Sequence, residues 1–142
     1  MRYTSSRAGK PVTDADLTTL AAFRYTLRRF LRFSETAADA AGLTAQQYLA
    51  LLAIKGSPDP DYVTVRVLAE RLQIEHHSAV GLIDRLAERE LVRRGTSPED
   101  RREVRLGLTP RGLQLLRKVA TANRGELAGM KNELIDLLGR LT

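Results

Sequence analysis

The sequence predicts a mainly α-helical protein carrying one small β-hairpin, and three features of the chain predict it. Apolar residues recur every three or four positions over long stretches at both ends, the repeat of helices with one buried face. Between residues 103 and 108 the repeat drops to two, with Val104, Leu106 and Leu108 alternating with Glu103, Arg105 and Gly107 as in a half-buried strand. Apolar residues make up 43% of the 142 positions and charged residues 28%, a balance that buries a core in one domain and is not that of a disordered chain.

Taken in order, residues 1–13 are polar, contain Gly9 and Pro11, and read as a flexible arm. A helix capped by Thr13 or Asp14 runs to Ala41 and stops at Gly42; Leu20, Phe23, Leu27 and Phe30 share one face. Thr44 caps a second helix with Tyr48, Leu51, Leu52 and the stem of Lys55 at helical spacing. Residues 56–61 are a loop, because a glycine and two prolines cannot continue a helix. A short helix spans Thr64 to about Leu72, and the connection Gln73-Ile74-Glu75 leads to another from His76 to about Arg89. Two β-compatible runs, 91–95 and 103–108, flank a charged tip. Thr109-Pro110 then starts a helix with a hydroxyl cap and a proline at the first helical position. In that last stretch Leu113, Leu116, Ala120, Asn123, Leu127, Met130, Leu134, Leu137 and Leu141 alternate spacings of three and four, the seam of a helix–helix interface with one polar position. Gly125 and Gly129 leave open whether it is one helix or two.

Helix, short turn, helix, charged hairpin is the order of a winged helix-turn-helix, whose second helix lies in the major groove and whose hairpin reaches the neighbouring minor groove. Leu68, Leu72, Ile74, Val80, Ile83, Leu86, Leu91 and Val92 supply a small core for it. On the exposed side of the second helix stand Glu75, His76, His77, Ser78, Gly81 and Arg85, which suit base edges and phosphates; a merely solvated face is the alternative. The hairpin carries Arg93, Arg94, Arg101, Arg102 and Arg105 against Glu99, Asp100 and Glu103. Arginine on a thin ribbon fits a narrow, strongly negative groove. The whole chain agrees in sign: 23 Lys and Arg against 17 Asp and Glu leave +6, a charge that points to a polyanionic partner, double-stranded DNA before a membrane surface.

Residues 68–112 resemble the core of the MarR family of transcriptional regulators. The family's wing signature, Asp-x-Arg followed by an alternating strand ending in Leu-Thr, is matched by Asp100, Arg102, Val104, Leu108 and Thr109. Its Asp-Arg-Leu at the end of the recognition helix is matched by Asp84, Arg85 and Leu86. Glu90 departs from the pattern, standing where the family usually has glycine. The resemblance implies one MarR-like domain over 1–142: a winged helix-turn-helix at 44–109, and N- and C-terminal dimerisation helices at 14–42 and 110–142. It implies a homodimer held by Leu17, Leu20, Leu127, Met130, Leu134, Leu137 and Leu141, binding a pseudo-palindromic operator as a repressor that a small aromatic or phenolic ligand releases. Arg102 would be the minor-groove arginine, with Asp84 pairing with it and Asp100 helping to position the wing. A ligand pocket would be lined by Phe23, Leu27, Phe30 and Tyr48, residues that equally suit a plain core.

Other classes fare worse. An enzyme would need a nucleophile with a base, paired carboxylates or a metal site. The chain has no cysteine, which excludes thiol catalysis, thiol-based sensing and cysteine-ligated zinc. Its only histidines, His76 and His77, are adjacent and diverge by about 100° on a helix, too thin a set for a metal. No cofactor is expected. The N-terminus lacks the apolar core of a secretory signal and no run is long enough to span a membrane, so the expected location is the cytoplasm. A constitutive or architectural DNA binder without a ligand, or a metal-responsive regulator, stays open beside the ligand-released repressor.

Overall fold

A computed structural model describes residues 9–97, 99–100 and 102–141. Its elements are α1 (Asp14–Ala40), α2 (Ala45–Lys55), a 3-10 turn (Pro60–Tyr62), α3 (Val65–Leu72), α4 (His76–Glu88), strands β1 (Val92–Thr96) and β2 (Val104–Leu108), and α5 (Pro110–Gly139). Four threonines begin four of the five helices. Thr13 and Thr44 form reciprocal capping boxes with Asp16 and Gln47, and Thr64 and Thr109 accept from the N–H groups of Val67 and Gly112. Only α4, preceded by Glu75, starts without a side-chain cap.

Three helices end in the same way. The chain turns left-handed at Gly42, Gln73 and Glu90, with φ of +77°, +54° and +58°, and the next amide reaches back to the carbonyl five residues earlier. This is the Schellman motif. Behind α4 it brings Leu91 against Leu86, both fully buried. Glu90 holds a conformation that glycine adopts at little cost. Replacing Glu90 by glycine is therefore expected to stabilise the chain by about 0.5–1 kcal/mol, read as a higher midpoint in chemical denaturation; an unchanged or lower midpoint would contradict it.

The core gathers on α2, which touches every other helix and β2. Leu51, Ile54, Leu68, Ile83, Leu86, Leu91 and Val63 are at most 2% exposed. Tyr48 belongs to this cluster, whereas Leu52 and Lys55, expected on the same face, are exposed. With so many elements around it, α2 buries two sides, and Gln47, Ala50 and Ile54 take the positions a single stripe would assign to Leu52 and Lys55. The expected loop before α3 closes with the 3-10 turn, in which Pro60 sets the first residue.

α5 is one continuous helix through Gly125 and Gly129, lying antiparallel to α1. Thr26 donates to Glu133 at 2.9 Å, and Ala15–Thr19 come beside Arg140 at the far end. Its heptad seam splits between two environments. Leu116, Asn123, Met130 and Leu137 are buried within this chain, while Leu127 and Leu141 are exposed and Leu134 is half-buried. Neither the amide oxygen nor the amide nitrogen of Asn123 finds a hydrogen-bond partner among the described residues. On α1, Phe23, Leu27 and Phe30 are half-buried and Leu17 and Leu20 exposed. Among the described residues no helix is long and apolar enough to cross a membrane.

Candidate nucleic-acid interface

The helix-turn-helix is α3 and α4, joined at the left-handed Gln73. Ala79, Leu82, Ile83 and Leu86 bury one face of α4. The opposite face presents Glu75, His76, His77, Ser78, Asp84 and Arg85, all exposed. The first-turn amides carry no side-chain cap and the first turn holds no acidic side chain, so this end of α4 offers free N–H donors and the positive end of the helix dipole. Gly81 is half-buried, and the guanidinium of Arg85 lies over it, 3.6 Å from where a Cβ would stand. The space above Gly81 is thus filled by Arg85 in this structure.

β1 and β2 pair antiparallel, Val92 opposite Leu108 through to Thr96 opposite Val104. Residues opposite each other share a face. One face therefore carries Val92, Arg94, Leu106 and Leu108. Val92 and Leu106 on it are buried, and through it the wing leans on α4. At its outer edge Val104 is exposed, because the ribbon there has run past the core. The second face carries Arg93 and Arg105, each opposite a glycine, Gly107 and Gly95. Arg93 uses the room by lying across Gly107, its Nε 3.3 Å from the place of a Cβ.

The wing is tied down on its α4-facing side, at the outer edge of β2 and on its second face. Arg94 donates to the Asp84 carboxylate of α4. This corrects the sequence expectation that Asp84 pairs with Arg102: Arg94 shares the α4-facing side of the hairpin, whereas Arg102 lies beyond the strands in the tip. At the outer edge of β2 the Leu106 N–H donates to the Val63 carbonyl at 2.7 Å, and on the second face the Arg105 guanidinium sits 4.1 Å from the centre of the Tyr62 ring. At the tip, the Asp100 carboxylate accepts from the Arg102 N–H at 2.9 Å, and Arg102 is exposed. Arg101 lies outside the described residues.

The structure brings together Asp84 with Arg94 and Gly81 with Arg85, and it organises the tip around Asp100. Of the expected pocket quartet, Tyr48 is in the core and Phe23, Leu27 and Phe30 are half-buried along α1; a concavity of about 180 Å³ behind the wing is lined instead by Ile54, Asp61, Arg93 and Leu113 among others. Sequence reasoning missed Tyr62 and Ser97. Ser97 carries a signal in hindsight, a hydroxyl just ahead of an acidic turn; its Oγ accepts from the Glu99 and Asp100 amides at 3.2 and 3.4 Å. Tyr62 has none, since only the fold brings it to Arg105. Gln47 and Arg89 form a further link, a 2.9 Å hydrogen bond from the end of α4 to the start of α2. Among the described residues no three His, Asp or Glu gather as a set that could hold a metal ion.

Comparison with known proteins agrees with this arrangement. The model of the MarR family matches residues 41–103, from the end of α1 through most of the wing tip. A Thauera aromatica protein named as a transcriptional regulatory protein for the hcr operon is 32% identical over 93 residues, 66% of this chain and 54% of its own length. The chain spans about half the length of the curated relatives it matches. AbsC, a MarR family transcriptional regulator from Streptomyces coelicolor, superposes with a TM-score of 0.67 at 26% identity, over 91% of this chain and 84% of its own. Two more distant structures share the fold. They are the F27L mutant of MepR from S. aureus, bound to oligodeoxyribonucleotide (TM-score 0.68, 20% identity, 87% and 97% covered), and CouR from Rhodococcus jostii RHA1, bound to p-coumaroyl-CoA (0.67, 23%, 92% and 93%). Residues 41–103, which hold the helix-turn-helix and the wing as far as its tip, thus match the MarR family, and the chain carries the fold of AbsC, a regulator of that family.

Proposed function

We propose that this protein is a homodimeric repressor of transcription that reads a pseudo-palindromic DNA site with α4 and the wing. One observation carries the reading: the uncapped, exposed start of α4 and the arginine-bearing hairpin are joined by Asp84 and Arg94 into one unit. A major-groove helix and a minor-groove ribbon need that fixed relation to bind together. The DNA-bound MepR structure, which shares this fold, supports it.

Dimerisation through α1 and α5 is supported by their uncovered apolar side chains. Leu17, Leu20, Leu127, Ile135, Leu138 and Leu141 are between 37% and 59% exposed. A single chain gains nothing by showing them to water, and a second copy would cover them. Met130 and Leu137, also expected in this interface, are already buried within the single chain. Release by a small aromatic or phenolic ligand is the finest part of the reading. CouR in complex with an aromatic acyl-CoA supports it, together with the half-buried Phe23, Leu27 and Phe30 on α1.

Selection from a randomised duplex library tests the core of this reading. The expected product is a two-fold symmetric motif with half-sites about one helical turn apart, bound by two chains per duplex in sedimentation. Recovery of no duplex would overturn DNA reading; one chain on a single half-site would overturn the dimer. Because a dimer doubles the chain's +6, affinity should also fall steeply as salt rises.

A further inference from the structure

We infer that Arg105 is a positioning residue of the wing, fastening the hairpin tip to the 3-10 turn so that the tip meets DNA at a set angle. The inference rests on the wing's DNA-binding role, and it assigns Arg105 a place behind the contact surface.

The guanidinium of Arg105 is turned into the protein. Its carbon stands 4.1 Å from the centre of the Tyr62 ring, and its Nη2 donates to Ser97 Oγ at 2.9 Å. Its Nε is buried with no hydrogen-bond partner, and the residue as a whole is half-buried, as a group turned toward the scaffold would be. Gly95, directly across the ladder, puts no side chain in the way. Ser97 is 2% exposed, and the same oxygen receives the Glu99 and Asp100 amides. One arginine thus joins a ring on the scaffold to the oxygen around which the tip is folded. Asp100 continues the chain of contacts to the Arg102 amide. Beside it, the Leu106 N–H on the Val63 carbonyl clamps the next residue of the strand to the residue after Tyr62.

The chemistry needs arginine. A planar guanidinium stacks on a ring and donates sideways at the same time, whereas the ammonium of lysine keeps the charge but is more strongly hydrated and has no plane to stack. A direct phosphate contact would tolerate lysine. That contrast separates the two roles.

The experiment is a titration of the library-selected duplex across a salt series with the full chain, its Arg105→Lys, Tyr62→Phe and Tyr62→Leu variants, and the Arg105→Lys, Tyr62→Leu double variant. Amide exchange is followed at residues 97–104. Arg105→Lys and Tyr62→Leu are each expected to weaken binding about tenfold. The double variant should be no worse than the poorer single variant, as for two members of one contact. Tyr62→Phe, which keeps the ring, should bind as the parent does. The slope of log affinity against log salt should not change, since no phosphate contact is lost. Exchange at the tip should quicken in the weakened variants. Parental affinity in Arg105→Lys, additive losses, or unchanged exchange at the tip would each overturn the inference. Absence of any selected duplex would overturn the DNA-binding reading and this inference with it, while parental-strength binding by Arg105→Lys leaves that reading standing.

Discussion

Replacing Gly112 by alanine is expected to cost about 3 kcal/mol of stability, among the largest effects of any single methyl in this chain. A Cβ at this position would stand 2.1 Å from the Leu91 carbonyl oxygen and 3.0 Å from its carbon. These are backbone atoms, and they cannot rotate away. The surrounding contacts leave little slack. Thr109 N–H donates to that same Leu91 oxygen at 3.1 Å, Thr109 Oγ1 donates to the Glu90 carbonyl at 2.6 Å, and the Gly112 N–H donates to Thr109 Oγ1 at 3.0 Å. The first turn of α5 is thereby pressed onto the segment that leaves α4. A Cβ must part the two, opening the contact at which α5 meets the segment that follows α4. The melting temperature at fixed protein concentration should fall by about 10 °C. Gly125→Ala in the same helix is the matched comparison. Nothing lies within 4 Å of a Cβ there, so alanine should stabilise by about 0.5–1 kcal/mol through helix propensity alone. Equal shifts for the two variants would show that close packing at Gly112 is not what distinguishes it.

Replacing Arg102 by alanine is expected to weaken duplex binding by about 1–3 kcal/mol, and to lower the salt slope by about one. Arg102 is exposed at the tip, its backbone amide held by Asp100, and it is not drawn into the Asp84 contact that the sequence had suggested. Its side chain is therefore free to enter a groove. The change in slope makes the test specific. Arg102→Ala should lose both affinity and salt dependence, whereas Arg105→Lys should lose affinity alone. Full affinity in Arg102→Ala, measured at matched salt, would remove it from the contact surface. The Asp84–Arg94 pair is itself about half exposed, so its worth lies in aligning the wing rather than in stability.

What could be read along the chain was whatever depends on near neighbours. Thr13, Thr44, Thr64 and Thr109 announce helix starts because a hydroxyl reaches an amide three residues on, and each does so in the structure. Gly42 marks the end of α1 because a left-handed turn favours glycine. Glu90 obeys the same geometry without the residue that advertises it: the Schellman hydrogen bonds and the burial of Leu86 and Leu91 hold glutamate in a conformation it does not prefer. The family signature in the wing was legible for the same reason, being contiguous.

Partner choice in space was not legible. Arg93, Arg94, Arg102 and Arg105 look alike in a string, yet the strand register sends Arg94 to Asp84, lays Arg93 across Gly107, turns Arg105 inward to Tyr62 and Ser97, and leaves Arg102 exposed at the tip. The heptad seam of α5 likewise shows no difference between Met130, which is buried, and Leu127, which stays exposed. By itself the sequence determined the elements, their order, their caps and the basic character of the hairpin, because propensity, capping and periodicity act over a few residues. Only the tertiary structure decided which arginine faces outward and which apolar face remains open, because those outcomes depend on what a distant segment places opposite each side chain.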